Sequence, residues 1–294
     1  MKIVLLGSLG HINRYVIPEL VAAHEDVTVI TSSVDRVAAI EQLGAQAAVG
    51  SMMDESFLTK QFKQADAVYL MITNMREPGL SLTELAVKQA TIFKNAIQNS
   101  RVKRVVDLSS VGADQGPEVG NLYIYHLIEG ILSELKQVEL TFIRPVGFYS
   151  NLLGDIRTIK TQHALVRNFN ARVTMAWTDP ADIAKAVVAE ILSEHPATVR
   201  YVVSEFITGQ QLISQLAAAL KLPDLHWIEA SDDQILSNMI QNGVPETFAK
   251  GLVTMTKRQR SPEFYADLRK RQPKLGSVKL KDFMPTLIAA YQQA

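Results

Sequence analysis

The chain has 294 residues, with 30 lysines and arginines balancing 30 aspartates and glutamates and no cysteine at all. That length carries one large α/β domain, or a main domain with a smaller lobe, and the ordinary apolar content fills a core. Balanced charge argues against a surface that coats nucleic acid, and the missing thiols exclude disulfides, thiolate catalysis and cysteine-ligated metals. No stretch approaches the roughly 20 apolar residues of a membrane span, so a soluble, cytoplasmic protein is expected.

The first predicted element is the apolar run Lys2 to Leu6, a strand buried on both faces. Gly7-Ser8-Leu9-Gly10-His11-Ile12-Asn13 follows, and Tyr15, Val16, Ile17, Leu20 and Val21 then recur at helical spacing. Val27-Thr28-Val29-Ile30 closes the unit as a second strand. Strand, glycine turn, helix and strand in that order open a dinucleotide-binding βαβ fold. Gly7 lets the chain leave the strand sharply, and Gly10 lets the backbone approach a pyrophosphate. Amides at the start of the helix then face the anion, helped by the helix dipole. The bland alternative is an ordinary βα turn. Asn13 stands where the third glycine usually permits close packing, which predicts a slightly wider helix–sheet approach or a shifted phosphate.

Further β–α units follow. Residues 34–43 read as a helix ended by Gly44, 45–49 as a third strand, and Asp54 caps a helix through Phe62. Residues 65–72 form a fourth strand, 80–98 a long amphipathic helix, 102–108 a fifth strand, 121–136 a helix and 140–144 a sixth strand ended by Pro145. Such alternation predicts a Rossmann-type doubly wound parallel sheet with helices on both faces. This domain spans 1–150, with parts of 170–205 available to its sheet. Residues 151–294 read as a smaller, mostly helical lobe. There Asp179-Pro180-Ala181-Asp182 starts a helix through Leu192, 201–203 is a strand, and Thr208 and Ser231 each open a helix at capping-box spacing. The basic stretch from Lys257 to Lys281 is interleaved with Glu263 and Asp267, the pattern of a solvated helix face.

The end of the second strand bears on cofactor choice. NAD-preferring sites place an acid there for the ribose 2′-hydroxyl, whereas this chain has Thr31-Ser32-Ser33 and no acid before Asp35. Hydroxyls can hydrogen-bond a 2′-phosphate, and Arg36 or Arg14 supplies charge, so NADP(H) is favoured over NAD(H). Alternatively, Thr31 and Ser33 only cap the next helix, which leaves the preference open.

Several segments together resemble the NmrA-like family of atypical short-chain dehydrogenase/reductases. The glycine turn is similar to the family's motif except at Asn13. Gly50-Ser51-Met52-Met53-Asp54 is similar to the segment near the adenine, with Ser51 where the family usually has an acid. Val102 to Ala113 (VKRVVDLSSVGA), Thr141 to Asn151 (TFIRPVGFYSN) and Asp182-Ile183-Ala184 match the fifth strand and its loop, the Arg-Pro segment and a later helix start. The resemblance implies an NAD(P)-binding Rossmann fold. The candidate cofactor contacts are Gly7, Leu9, Gly10, His11, Ile12, Thr31, Ser32, Ser33, Arg36, Ser51, Met52, Ile72, Thr73, Ser109, Tyr125, Pro145, Val146, Gly147 and Phe148.

Related dehydrogenases and sugar-nucleotide epimerases use Tyr-x-x-x-Lys, in which the lysine lowers the tyrosine pKa. Here Tyr123 is followed four residues on by Leu127, Tyr125 by Glu129 and Tyr265 by Arg269, so the motif is absent and an epimerase is disfavoured. Ser109, Ser110, Tyr125 and His126 remain near the expected nicotinamide, and Ser109, Tyr125 and His126 are the candidate catalytic groups. Each has a plain alternative: a packed tyrosine, an exposed histidine, and serines that satisfy a strand end. His126 and Glu129 lack further ligands, so no metal site is expected. The leading expectation is an NADP(H)-dependent oxidoreductase delivering hydride to a quinone-like or other carbonyl small molecule, which needs little catalytic protonation. The other is a non-catalytic dinucleotide-binding redox sensor with a protein partner. Phe148, Tyr149, Leu152, Met175 and Trp177 either line a substrate cleft or plug one.

Overall fold

The computed structural model describes residues 1–73, 77 and 79–294. In chain order, β1 (Lys2–Leu5) leads through the glycine turn to α1 (Asn13–Ala22) and β2 (Asp26–Thr31). A 3₁₀ turn at Val34–Arg36, capped by Ser33, precedes α2 (Val37–Gln42), so the helix predicted over 34–43 is split. Then come β3 (Gln46–Val49), α3 (Glu55–Phe62), β4 (Ala67–Leu70), α4 (Leu82–Gln98) and β5 (Arg104–Leu108). Asp54 caps α3 through the Phe57 amide, and Ser81 with Glu84 closes a capping box on α4. The helix expected over 121–136 is shorter. A 3₁₀ segment, Pro117–Leu122, comes first, with Gly120 at φ 59°, and α5 covers Tyr123–Leu132.

The chain continues with β6 (Glu139–Pro145), β7 (Gly147–Phe148), α6 (Ile156–Gln162), β8 (Ala164–Arg167), β9 (Thr174–Thr178), α7 (Pro180–Leu192) and β10 (Val199–Val202). It ends with β11 (Glu205–Thr208), α8 (Gly209–Leu220), β12 (His226–Glu229), α9 (Asp232–Gln241), α10 (Glu246–Gln259), α11 (Ala266–Arg271) and α12 (Leu280–Gln293). Capping boxes at Thr208 and Ser231 open α8 and α9 where the sequence places them.

Two compact units result. The first comprises 1–113, 124–144 and 183–201. Its seven-stranded sheet has the order β10-β6-β5-β4-β1-β2-β3. The pairs β1–β2, β1–β4, β2–β3, β4–β5 and β5–β6 are all parallel. This is the doubly wound order that puts a crevice where β1 and β4 diverge. Its core on one face joins Val68, Leu70, Val105 and Phe142 of the sheet to Phe93 and Ile97 of α4 and Ile128 and Leu132 of α5.

The second unit comprises 114–123, 145–182 and 202–294. It holds a β11-β9-β7 sheet, a β12-β8 pair and the remaining helices. Its core gathers Tyr149, Leu152, Ile159, Trp177, Leu212, Leu216, Phe283 and Leu287. Within it, α10 lies against the Pro117–Leu122 segment so closely that a Cβ on Gly120 would sit 2.0 Å from the Gly251 carbonyl oxygen. Only glycine fits there.

Candidate dinucleotide site

Two glycines shape the turn after β1. Gly7 has φ +97°, the left-handed region that side chains rarely adopt, and a Cβ there would meet the Met71 side chain at 3.2 Å. A Cβ on Gly10 would lie 3.0 Å from Gly7 O, whose carbonyl accepts the Gly10 amide at 3.0 Å. No side chain caps α1. Among the described residues, the amides of Leu9, His11 and Ile12 donate no hydrogen bond to the protein. An uncapped helix start behind a glycine turn with unengaged amides is a ready anion cradle, so a dinucleotide pyrophosphate fits.

Asn13 occupies the third-glycine position as a strut. It is buried, and its Nδ2 donates to Leu6 O at 2.8 Å and Ser8 O at 2.9 Å, tying the strand end to the turn. Two acceptor carbonyls fix which end of the amide faces them. The side chain thus takes over, by hydrogen bonding, the fixing of the turn that a third glycine achieves by close packing.

At the end of β2, Thr31 is buried and fully engaged. It accepts from Ser8 Oγ at 3.0 Å and from the Ser33 amide at 3.2 Å. Ser33 caps the following turn by accepting the Asp35 amide at 3.3 Å. Ser32, Arg36 and Arg14 face solvent. After β3, Ser51 is exposed and accepts the Met53 amide at 3.1 Å. Met52 is half-buried, and its thioether accepts from the buried Gln89 amide at 2.9 Å. Thr73 Oγ1 approaches the same sulfur at 3.9 Å, and Ile72 beside it is half-buried. Met71 and Gln89 support this region, yet the sequence pattern singled out neither, because each reads there as an ordinary strand or helix residue.

A polar cluster closes the carboxyl end of β5. Ser109 is buried, and its hydroxyl donates to Glu129 Oε1 at 2.5 Å. Arg144 of β6 grips the same carboxylate with two hydrogen bonds, Nε to Oε1 at 2.8 Å and Nη2 to Oε2 at 2.5 Å. Arg144 Nη1 also donates to Tyr201 Oη at 3.0 Å, and the guanidinium lies 5.6 Å from that ring's centre. Burial works against the Arg144 charge, but Glu129 outweighs it and holds the guanidinium protonated. Asp107, one strand residue deeper than Leu108, is pushed well above the usual carboxylate range by burial and then by Glu129. Glu129 therefore stands where Tyr-x-x-x-Lys proteins have lysine, and it forms a buried ion pair instead of activating a tyrosine.

Tyr125 is half-buried, and burial followed by Asp107 pushes its phenol up to about 12. This is opposite to the shift that a proton-transferring phenol needs. His126 is exposed; its Nδ1–H donates to Ala113 O at 3.0 Å, a carbonyl being only an acceptor. Ser110 is buried beside Ser109.

The remaining candidates lie in the second unit. Val146 is buried and its amide donates to Val202 O at 3.3 Å, Pro145 is buried, and Gly147 and Phe148 are half-buried. Tyr149, Leu152 and Trp177 pack into that unit's core, with Met175 against it. Tyr149 stacks between Trp177 and Phe283, each at 6.1 Å, and its hydroxyl donates to Glu205 Oε1 at 2.6 Å. They act as packing residues. Among the described residues no cluster of three metal-ligating side chains occurs, and no helix is long and apolar enough to cross a membrane.

A parallel sheet in doubly wound order, with a glycine cradle at the first strand, defines a dinucleotide-binding Rossmann-type fold. Residues 7–195 match the model of the NAD(P)H-binding family, and the chain belongs to that family. It is 24% identical over 262 residues, 88% of this chain and 87% of the other, to a (4-alkanoyl-5-oxo-2,5-dihydrofuran-3-yl)methyl phosphate reductase of Streptomyces griseus. It is 21% identical over 217 residues to the photosystem II assembly factor Ycf39 of Synechocystis, covering 74% of this chain but 66% of that protein's own length. Its fold is similar to that of the NADPH-dependent quinone oxidoreductase QOR2 of Escherichia coli, solved with NADPH. The TM-score is 0.78 at 18% identity, over 97% of this chain and 99% of that one.

Proposed function

We propose that the protein is an NADP(H)-dependent oxidoreductase that reduces a quinone-like or other carbonyl small molecule. The observation that carries this reading is the uncapped glycine turn after β1, with three amides left for an anion. The preference for NADP(H) is supported by the end of β2, where Ser32 and Arg36 face solvent and no acid stands at 31–33. The cofactor supplies the hydride. Gly7, Gly10 and the amides of Leu9, His11 and Ile12 hold its pyrophosphate, and Ser32 and Arg36 the 2′-phosphate.

A quinone-like substrate is supported by what the β5 end lacks. Glu129 takes the lysine position and Tyr125 is harder, not easier, to deprotonate. Positioning then supplies most of the acceleration, which suits an acceptor whose reduced oxygens need little protonation. A second reading, a redox sensor that reports cofactor state to a protein partner, is favoured by one observation. Tyr149, Leu152 and Trp177 fill the second unit's core rather than an open wall.

The test is a titration with NADPH and with NADH, read by nicotinamide fluorescence, followed by a quinone panel. Tight NADPH binding with quinone-dependent loss of fluorescence is expected; binding without turnover moves the assignment to the sensor. Gly7→Ala, strained at its left-handed φ, is expected to weaken NADPH binding about tenfold. Unchanged affinity in that variant sinks the assignment of the turn.

A further inference from the structure

The polar cluster at the end of β5 fixes the direction of a hydrogen bond. Glu129 accepts two bonds from Arg144 and one from Ser109. A carboxylate gripped in this fork is ionised, and an ionised carboxylate only accepts. The single proton of the Ser109 hydroxyl is therefore committed to Glu129, at 2.5 Å. The Ser109 amide is also engaged, donating to Ile143 O at 2.8 Å. Ser109 thus has lone pairs, and no proton, to offer anything that reaches the carboxyl end of β5. In a doubly wound sheet that end is where the ligand lies.

Resting on the dinucleotide reading above, we propose that Ser109 is a hydrogen-bond acceptor for the nicotinamide half of the cofactor, accepting a bond from a ribose hydroxyl or the carboxamide N–H. Glu129 is the positioning residue that sets this polarity, and Arg144 holds Glu129 in place through two hydrogen bonds. A serine that donated to a substrate carbonyl from this position would stabilise developing negative charge on the oxygen. This serine cannot, so removing it acts on cofactor affinity. The absent lysine has the same consequence, because the groups at this strand end hold the cofactor rather than protonate the substrate.

The experiment compares wild type, Ser109→Ala and Glu129→Gln by fluorescence titration with NADPH. A parallel displacement series uses adenosine 2′,5′-bisphosphate, which lacks the nicotinamide half. Ser109→Ala is expected to raise the NADPH Kd about five- to tenfold, the equivalent of one hydrogen bond, with bisphosphate affinity unchanged. Glu129→Gln, whose amide can donate to Ser109 and release its proton outward, is expected to shift NADPH affinity in the same direction. Equal NADPH affinity in wild type and Ser109→Ala overturns the proposal while leaving the dinucleotide reading intact. A matching loss for both ligands overturns it too. Failure of wild type to bind NADPH overturns the dinucleotide reading itself.

Discussion

Two buried aspartates, one in each unit, occupy opposite electrostatic environments. Asp107 on β5 is 1% exposed, and its Oδ2 has no hydrogen-bond partner among the described residues. Burial and the neighbouring Glu129 charge push it well above the usual carboxylate range. Asp182, in the first turn of α7, is 5% exposed, yet it is held below that range. Burial pushes Asp182 up, but hydrogen bonds from Ser204, Val278 and Ser277 outweigh it. The Ser204 hydroxyl donates at 2.7 Å, the Val278 amide at 3.0 Å, and the Ser277 amide and hydroxyl at 3.1 Å each. Both side chains are nearly closed to solvent, but Asp107 lies deeper and lacks the donors that Asp182 has, and both differences push the two carboxyls apart.

The contrast can be broken most forcefully at the counter-ion. Arg144→Met leaves Glu129 buried without its partner and is expected to lower stability by about 3–5 kcal/mol in urea unfolding. Adding Glu129→Met should recover most of that loss, because the uncompensated charge is then gone. A single-variant loss below about 1 kcal/mol would falsify the claim that this pair holds the β5 end.

Next in size is Asp182→Ala, which strips the acceptor from a four-donor nest and is expected to cost about 2–3 kcal/mol. The same site sets an acid limit. A folded pKa below the unfolded one contributes stability that is present above the unfolded aspartate pKa, roughly 4, and is lost as pH falls through the folded value. Wild type should therefore lose stability more steeply than Asp182→Ala on acidification below about pH 4. Parallel acid-unfolding curves would remove the nest from the account.

Asp107 has the smaller effect and the opposite sign. Its raised folded pKa contributes stability below the unfolded value that is lost as pH rises toward the folded one. Asp107→Asn is expected to change stability at neutral pH by no more than about 1 kcal/mol, and toward stabilisation. Its stability should vary less than that of wild type from about pH 4 to pH 8. A large loss at neutral pH would mean that the carboxyl is ionised and partnered after all.

Much of this fold is legible in the residue order because the signals are local. Gly7 and Gly10, the capping pairs Ser81/Glu84, Thr208/Gln211 and Ser231/Gln234, and Pro180 at a helix start each act within one turn of chain. The helix expected over 121–136 begins late because Gly120 must keep clear of Gly251, a contact spanning most of the second unit's sequence. The Asp-Ile-Ala match marks a helix start in the sequence. The partners that give Asp182 its charge lie 22 and 95–96 residues away, beyond any periodicity.

Residue order alone specifies the alternation of strands and helices, the glycine turn after the first strand and the lack of Tyr-x-x-x-Lys. Spacing along the chain encodes those directly. It took the folded chain to show that Glu129 pairs with Arg144 and accepts the Ser109 hydroxyl, that Asn13 is a strut, and that Tyr149 and Trp177 are core. Hydrogen-bond direction and burial depend on groups brought together by the sheet and its helices, and a linear pattern carries no record of which donor meets which acceptor.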